Sequence, residues 1–141
     1  MAFNPMKYMM KLAVFLYRVS GGKIGGSVNG FPVLLLTTTG RKSGKTHTNP
    51  VAYIQQGDEY LISASYAGQP KNPAWFLNLE KTPDAKIELS GKSMNVHAEI
   101  ASSDERTQLY ELFKAKGSNF VEYEKKTTRK IPVIRLKPQP A

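Results

Sequence analysis

Hydrophobic and polar positions recur with two different periods along the chain, and each change of period marks an element. Residues 1–20 follow a helical period. At roughly 100° per residue, Lys7, Lys11 and Arg18 fall within about 40° of one another, while Met9, Leu12, Ala13 and Leu16 lie on the far side. An amphipathic helix with a cationic stripe is predicted there. Gly21, Gly22, Gly25, Gly26 and Gly30 then punctuate a connection over residues 21–30. After it the strand period takes over. Phe31 to Thr38 is a short apolar run, Asn49 to Ile54 a second strand and Glu59 to Ser65 a third, with turns at Gly40 to Thr46 and at Gln56-Gly57-Asp58. Ala74 to Leu79 reads as a short helix, with Asn72 as its N-cap and Pro73 in the first helical position.

Two alternating strands follow, joined by a hairpin at Gly91-Lys92. Ala85, Ile87 and Leu89 share one face of the first, and Met94, Val96, Ala98 and Ile100 share one face of the second. Ser102 or Ser103 caps a helix running to about Lys116, with Leu109, Leu112 and Phe113 on one face. Ile131 to Leu136 is the last strand, and Pro132 requires either an edge position or a place at the strand's first residue. Strands are thus joined mainly by turns. The order predicts an α+β domain with a mainly antiparallel sheet, closed or split into a small β-barrel with peripheral helices. A Rossmann layout would need helices between parallel strands, and these are missing.

Composition narrows the chemistry. A length of 141 residues with 40% hydrophobic content suits one ordered domain. The expected organisation is the helix over 1–20, the connection over 21–30 and the barrel domain over 31–141. With no cysteine in the chain, disulfides, thiolate metal sites and cysteine nucleophiles are excluded, and a cytoplasmic location is expected. His47 and His97 are the only histidines and show no metal-ligand spacing, so no metal is expected. A signal peptide is not expected either, because Lys11 interrupts the apolar run, and no stretch has transmembrane length. The net charge of +9, from 20 Lys and Arg against 11 Asp and Glu, calls for an anionic partner. Nucleic acid, a membrane surface and a polyanionic small molecule all satisfy it. The N-terminal helix likewise has two readings: docked on the domain, or lying on a membrane surface or over a site.

Three segments carry candidate chemistry. Gly40-Arg41-Lys42-Ser43-Gly44-Lys45-Thr46 has three residues between its glycines where a P-loop needs four, and a strand follows it rather than a helix. Nucleotide hydrolysis is therefore rejected. The turn still offers backbone N–H groups ringed by Arg41, Lys42 and Lys45, which makes either an anion cradle or a solvated hairpin tip. Ser63-Ala64-Ser65-Tyr66 ends a strand in small residues, suited to close approach of a flat ligand or simply to barrel packing. Neither serine has the setting of an esterase nucleophile. Lys71 to Leu79 holds the one tryptophan, Trp75, which on its own reads as core.

Taken together, LLLTTTGRKSGKTHTNPVAYI (Leu34 to Ile54), YLISASYAG (Tyr60 to Gly68) and KNPAWFLNL (Lys71 to Leu79) resemble the deazaflavin-dependent nitroreductase family, the F420H2-dependent quinone-reductase relatives with an FMN-binding split-barrel-like fold. The resemblance covers roughly residues 31 to 136 and implies coenzyme F420 as cofactor. It implies that Arg41, Lys42 and Ser43 hold the cofactor phosphate and polyglutamate tail, with Lys45 and His47 in the same set. Asn49, Pro50 and Val51 would lie beside the deazaflavin ring, and Ser63, Ala64, Ser65 and Tyr66 would meet its polar edge. Ala74, Trp75 and Asn78 would flank the site. Ser65 and Tyr123 are the implied catalytic residues, orienting or protonating the acceptor. Tyr66 stands where some relatives carry Lys. Gly117 and Phe120 stand where the nitroimidazole-activating member has tyrosines, so nitroreduction is not implied for this chain.

The expected reaction is hydride transfer from reduced F420 to a quinone, or to the electrophilic C=C of an unsaturated ester, lactone or coumarin-like compound. Two other readings stand beside it: an FMN-binding split-barrel protein, and a nonenzymatic basic module for membrane or nucleic acid. No nucleic acid is expected, because aromatics are not interleaved with the basic turn. Monomer and homodimer are both open, as is peripheral contact with the inner face of the plasma membrane.

Overall fold

The structure, a computed structural model, describes residues 5–28 and 30–140. Residues 1–4 of the predicted helix, Asn29 of the glycine-rich connection and Ala141 at the end of the barrel domain lie outside the described residues. The elements are α1 (Pro5–Val19), β1 (Ser27–Val28), β2 (Phe31–Thr39), β3 (Thr46–Gln56), β4 (Glu59–Ser63), a 3-10 turn (Tyr66–Gly68), α2 (Ala74–Lys81), β5 (Asp84–Leu89), β6 (Lys92–Ile100), α3 (Ser103–Lys116), α4 (Ser118–Lys126) and β7 (Val133–Pro138). The strands run in the order β2-β3-β4-β7-β6-β5, and β5 pairs back onto β2. Every pairing is antiparallel, so six strands close a barrel and leave no edge along it, while β1 adds two residues beside β2. This is the split-barrel-like α+β architecture predicted from the sequence.

Strand β2 shows why its sequence reads as a continuous apolar run: both of its faces are covered. Leu34 and Leu36 point into the barrel core with Ile62, Ile87, Val96, Ile134 and Leu136, and α2 adds Phe76 and Leu79 to that core. Val33 and Leu35 face outward beneath Val14 and Tyr17 of α1. Phe31 joins a second outer cluster with Leu61, Tyr110, Phe113, Phe120 and Val133, under α3 and α4. Full burial of one Val or Leu side chain contributes roughly 1.5–3 kcal/mol, so each small outer cluster is enough to fix a helix against the barrel.

Several local expectations are corrected. Pro73, not Asn72, occupies the N-cap of α2, and its side chain offers no capping bond; the Asn72 amide oxygen is taken by Arg129 instead. Ser90 and Gly91 form the β5–β6 turn, both at positive φ, with Leu89 opposite Lys92. Ile100 is exposed, as is Leu112, whose place on the buried face of α3 is taken by Tyr110. Pro132 sits just before β7, which is flanked by β4 and β6, so the edge alternative fails. Helix α4 and strand β1 are absent from the sequence reading.

The largest correction concerns α1. Its buried residues are Val14 and Tyr17, the latter donating a hydrogen bond to Val33 O at 2.8 Å. Arg18 clasps the Glu88 carboxylate through Nε and Nη2 at 3.1 and 2.8 Å. The helix therefore docks on the side that carries its cationic stripe. Tyr8, Met9, Leu12, Phe15 and Val19 are left between 56% and 65% exposed.

Candidate active site

Trp75 lines two cavities on the barrel. The larger measures about 730 Å³. Its walls are α1, the β2–β3 turn, the start of β3 and α2. Lys7, Lys11, Arg18, Arg41 and Lys42 all line it, and among the described residues no carboxylate does. Arg18 is clasped by Glu88 from outside the lining, but five cations around a cavity with no carboxylate among its described lining residues make a site suited to a polyanion, because each attracts the same sign of ligand.

The turn that carries Arg41 is built to hold its shape. Gly40 N donates to Lys45 O at 2.7 Å, and Gly44 N to Gly40 O at 2.9 Å. A Cβ at Gly40 would stand 2.9 Å from His47 Nε2 and from Ser43 Oγ, and 3.0 Å from Lys45 O, so a side chain there forces the turn open. Gly44 has φ +74°, a conformation that glycine adopts without steric cost. From the far side α2 supplies Asn78, which is buried. Its Oδ1 accepts from Arg41 N at 3.1 Å and from Arg41 Nη1 at 3.3 Å, and its Nδ2 donates to Thr38 Oγ1 at 3.0 Å. Lys81 Nζ donates to Arg41 O at 2.8 Å. Arg41 is thus fixed through its backbone and its guanidinium, which lowers the ordering cost of binding an anion there.

The smaller cavity, of about 230 Å³, lies against the middle of β3, the end of β4 and the face of α4. Pro50, Val51, Ser63, Ser65, Tyr66, Phe120 and Tyr123 line it. Ser63 Oγ is buried and has no hydrogen-bond partner. A buried hydroxyl left unsatisfied costs roughly 1–3 kcal/mol, which a ligand with a polar edge would relieve. Tyr123 Oη accepts from Asn119 Nδ2 at 3.2 Å, so its own proton remains to be donated. Behind the cavity the rings of Phe31, Phe113, Tyr110 and Tyr123 surround that of Phe120 at centroid distances of 5.0 to 6.2 Å. Burial pushes the Tyr110 phenol well above its usual range, and its hydroxyl donates to Phe120 O at 2.7 Å.

The predicted residues divide between the two cavities. Arg41, Lys42, Ser43, His47, Asn49, Ala74, Trp75 and Asn78 line the larger. Pro50, Val51, Ser63, Ser65, Tyr66, Trp75 and Tyr123 line the smaller. Lys45 and Ala64 line neither: Lys45 is exposed, and Ala64 is fully buried in the barrel core. Lys7, Lys11 and Arg18 also line the larger cavity, in keeping with the alternative that the N-terminal helix lies over a site, although the sequence assigns them no part in holding the cofactor. Arg129, described below, left no signal within the run KKTTRK. No group of side chains suited to a metal ion occurs among the described residues.

Residues 9–138 match the F420H2-dependent quinone reductase family. The chain belongs to that family. Membership makes it an enzyme that works with reduced coenzyme F420. It is similar to an F420H2-dependent quinone reductase of Mycobacterium tuberculosis strain H37Rv, with 34% identity over 132 residues, 91% of this chain and 89% of the relative. A solved F420-H2 dependent reductase (FDR-A) superposes with a TM-score of 0.68 and 32% identity, covering 75% of this chain and 94% of that one. A structure described as a domain-swapped dimer has a TM-score of 0.70 and 28% identity, covering 95% of this chain and 100% of its own.

The site geometry fits the family's cofactor, which has a flat polar ring at one end and a phosphate with glutamyl carboxylates at the other. The unpartnered Ser63 hydroxyl suits the ring, and the cation-lined cavity suits the tail. At the two departures the structure is explicit. A Cβ on Gly117 would stand 2.5 Å from Phe31 Cε2, so no larger residue fits there without moving the aromatic cluster. Phe120 closes the cavity wall with a ring that cannot donate a hydrogen bond.

Proposed function

We propose that the two cavities divide the work of one F420H2-dependent reductase. The larger holds the phosphate and glutamyl tail through Arg41, Lys42 and Ser43, helped by Lys7, Lys11 and Arg18. Ser63, Ser65, Pro50 and Val51 hold the ring at the smaller cavity, and Trp75 stands between the two. The observation that carries this reading is the pairing of a carboxylate-free cationic cavity with an aromatic, hydroxyl-lined one that shares a wall with it. The bound cofactor supplies the hydride. The protein orients the acceptor, excludes water and supplies a proton or hydrogen bond where negative charge develops on oxygen. Ser65 and Tyr123 carry that role. The acceptor is a quinone or an electrophilic C=C of an unsaturated ester, lactone or coumarin-like ring. Nitro compounds are poor acceptors, because Gly117 and Phe120 place no hydroxyl where the nitroimidazole-activating relative has tyrosines.

Anaerobic mixing of the protein with reduced F420 and a panel of quinones, unsaturated lactones, coumarins and nitroimidazoles tests this, with the return of oxidised F420 as signal. Turnover with quinones or activated alkenes is expected. Oxidation of F420H2 by none of them would refute the assignment of acceptors.

A second reading concerns location, and α1 favours it. Seven of the ten large apolar side chains exposed among the described residues lie between Tyr8 and Val28. The exposed apolar side of α1 is what an interfacial helix buries, and the net charge of +9 adds attraction to an anionic lipid surface. No helix among the described residues is long and apolar enough to cross a membrane. Sedimentation with phosphatidylglycerol vesicles, but not with neutral ones, is expected for the natural chain. Leu12→Glu with Val19→Glu should abolish it without touching the cavity. Equal sedimentation of that variant, or dimerisation in place of vesicle binding, would contradict the lipid contact.

A further inference from the structure

Arg129 lies outside both cavities, in the link between α4 and β7, yet its guanidinium donates four hydrogen bonds to a single segment. Nε donates to Gln69 O at 3.0 Å and Nη1 to Asn72 Oδ1 at 2.8 Å. Nη2 donates to Ala64 O at 3.1 Å and to Ser65 O at 2.9 Å. All four acceptors are neutral and fall within residues 64–72, the stretch that brings Ser65 and Tyr66 to the smaller cavity. Burial works against the Arg129 charge, which is what a cation turned inward toward carbonyls experiences.

That segment would not hold its conformation unaided. Tyr66 has φ +47°, a left-handed conformation that costs a bulky residue energy. Gly68 follows at φ +77° and packs so closely on α4 that a Cβ there would stand 3.0 Å from Tyr123 O and 2.9 Å from Lys126 Cβ. Gly68 N and Gln69 N donate back to Ser65 O and Tyr66 O at 2.8 and 3.0 Å. Because peptide units are trans and planar, fixing the carbonyls of Ala64 and Ser65 on one guanidinium also fixes the N–H groups of Ser65 and Tyr66 on the opposite side. The directions in which the Ser65 and Tyr66 side chains leave the backbone are constrained with them. An ammonium cannot replace this fork, since its donors radiate from one point and cannot span acceptors spread over residues 64–72.

We propose that Arg129 is a positioning residue of the smaller cavity: by gripping the carbonyls of Ala64 and Ser65 it sets the directions in which Ser65 and Tyr66 meet the acceptor. This deepens the reductase reading and rests on it. Arg129→Lys and Arg129→Ala in the full chain provide the test. Misplacement of reacting groups by about 1 Å is enough for roughly a 100-fold loss, so kcat is expected to fall about 10- to 100-fold in both variants. The Kd for oxidised F420 should change much less than kcat, because Ser65 is one of several ring contacts and the cationic cavity is untouched. Hydrogen exchange at the amides of Gly68 and Gln69 should quicken while exchange in β2 and β7 stays as in the natural chain. Added guanidinium ion should restore turnover to Arg129→Ala, and methylammonium should not.

Unchanged kcat in Arg129→Lys, or unchanged exchange at residues 68 and 69, would overturn the proposal. So would a loss of turnover matched by quickened exchange throughout the barrel, which would make Arg129 a general structural residue. Failure of the reductase reading looks different: the natural chain itself would then neither bind nor oxidise F420H2, while the exchange data would still report whether Arg129 holds the segment.

Discussion

The two cavities differ in what they are made of, and the difference separates holding from reacting. The larger is walled by five long cations drawn from α1 and the β2–β3 turn. Charges of this kind act over distance, tolerate small displacements and contribute to ground state and transition state alike. The smaller is walled by hydroxyls, two prolines, two valines and aromatic rings, with one hydroxyl unsatisfied. Groups of this kind act only at contact distance and only in the right direction. Binding energy that is the same before and at the transition state lowers Kd without raising kcat, whereas a donor aimed at developing charge raises kcat. The cationic cavity should therefore govern affinity, and the hydroxyl cavity turnover.

The strongest way to break that division is to remove Arg41 and Lys42 together. Charged hydrogen bonds contribute about 1.5–3 kcal/mol each. The Arg41→Ala, Lys42→Ala variant should therefore raise the Kd for F420 by roughly 100-fold or more, while kcat at saturating cofactor stays within about 3-fold. A fall in kcat of the same size would show that the two cavities are not separable. Next in size is the reverse experiment. Whichever of Ser65→Ala and Tyr123→Phe removes the donor should lose about 10- to 100-fold in kcat, with a much smaller change in Kd for F420. If neither alters kcat, the proton comes from another group and the smaller cavity loses its assigned role.

Gly117→Ala probes the wall rather than the donors. With a Cβ 2.5 Å from Phe31 Cε2, overpacking should cost about 1–3 kcal/mol. That lowers the melting temperature by several degrees. An unchanged melting temperature would mean that the aromatic cluster yields easily, and that a tyrosine could be accommodated after all. The smallest effect is expected from Lys11→Ala, a several-fold rise in Kd that shrinks as salt is added, because a partly exposed cation is screened. No change at low salt would detach α1 from the cofactor site.

These regions also differ in how much of them the sequence discloses. The barrel was legible because the sequences of β5 and β6 alternate and β2 is apolar on both faces, patterns that follow from burial. The cationic turn was legible because a glycine-flanked run of Arg41, Lys42 and Lys45 is a local feature. Both faces of α1 were visible as well, but a helical period says only that two faces exist. Which face docks depended on Val14 and Tyr17 meeting Val33 and Leu35, a contact across the connection that no local pattern carries. Helix α4 was missed because SNFVEYEKK is short and polar, lacks a side-chain cap and follows directly on Gly117, which ends α3. Arg129 was invisible for the same reason as the docking face of α1. Its partners lie 57 to 65 residues away, and a basic run ordinarily belongs to solvent.

The division between a tail-holding and a ring-holding cavity is tested most directly by equilibrium titration of the purified natural chain with three ligands: oxidised F420, the same deazaflavin lacking its phosphate and glutamyl tail, and FMN. It predicts saturable binding of F420, weaker binding of the tail-less ring with little salt dependence, and the steepest salt dependence for the intact cofactor. Tight binding of FMN without binding of F420, or equal affinity for the intact and tail-less deazaflavins at every salt concentration, would contradict it.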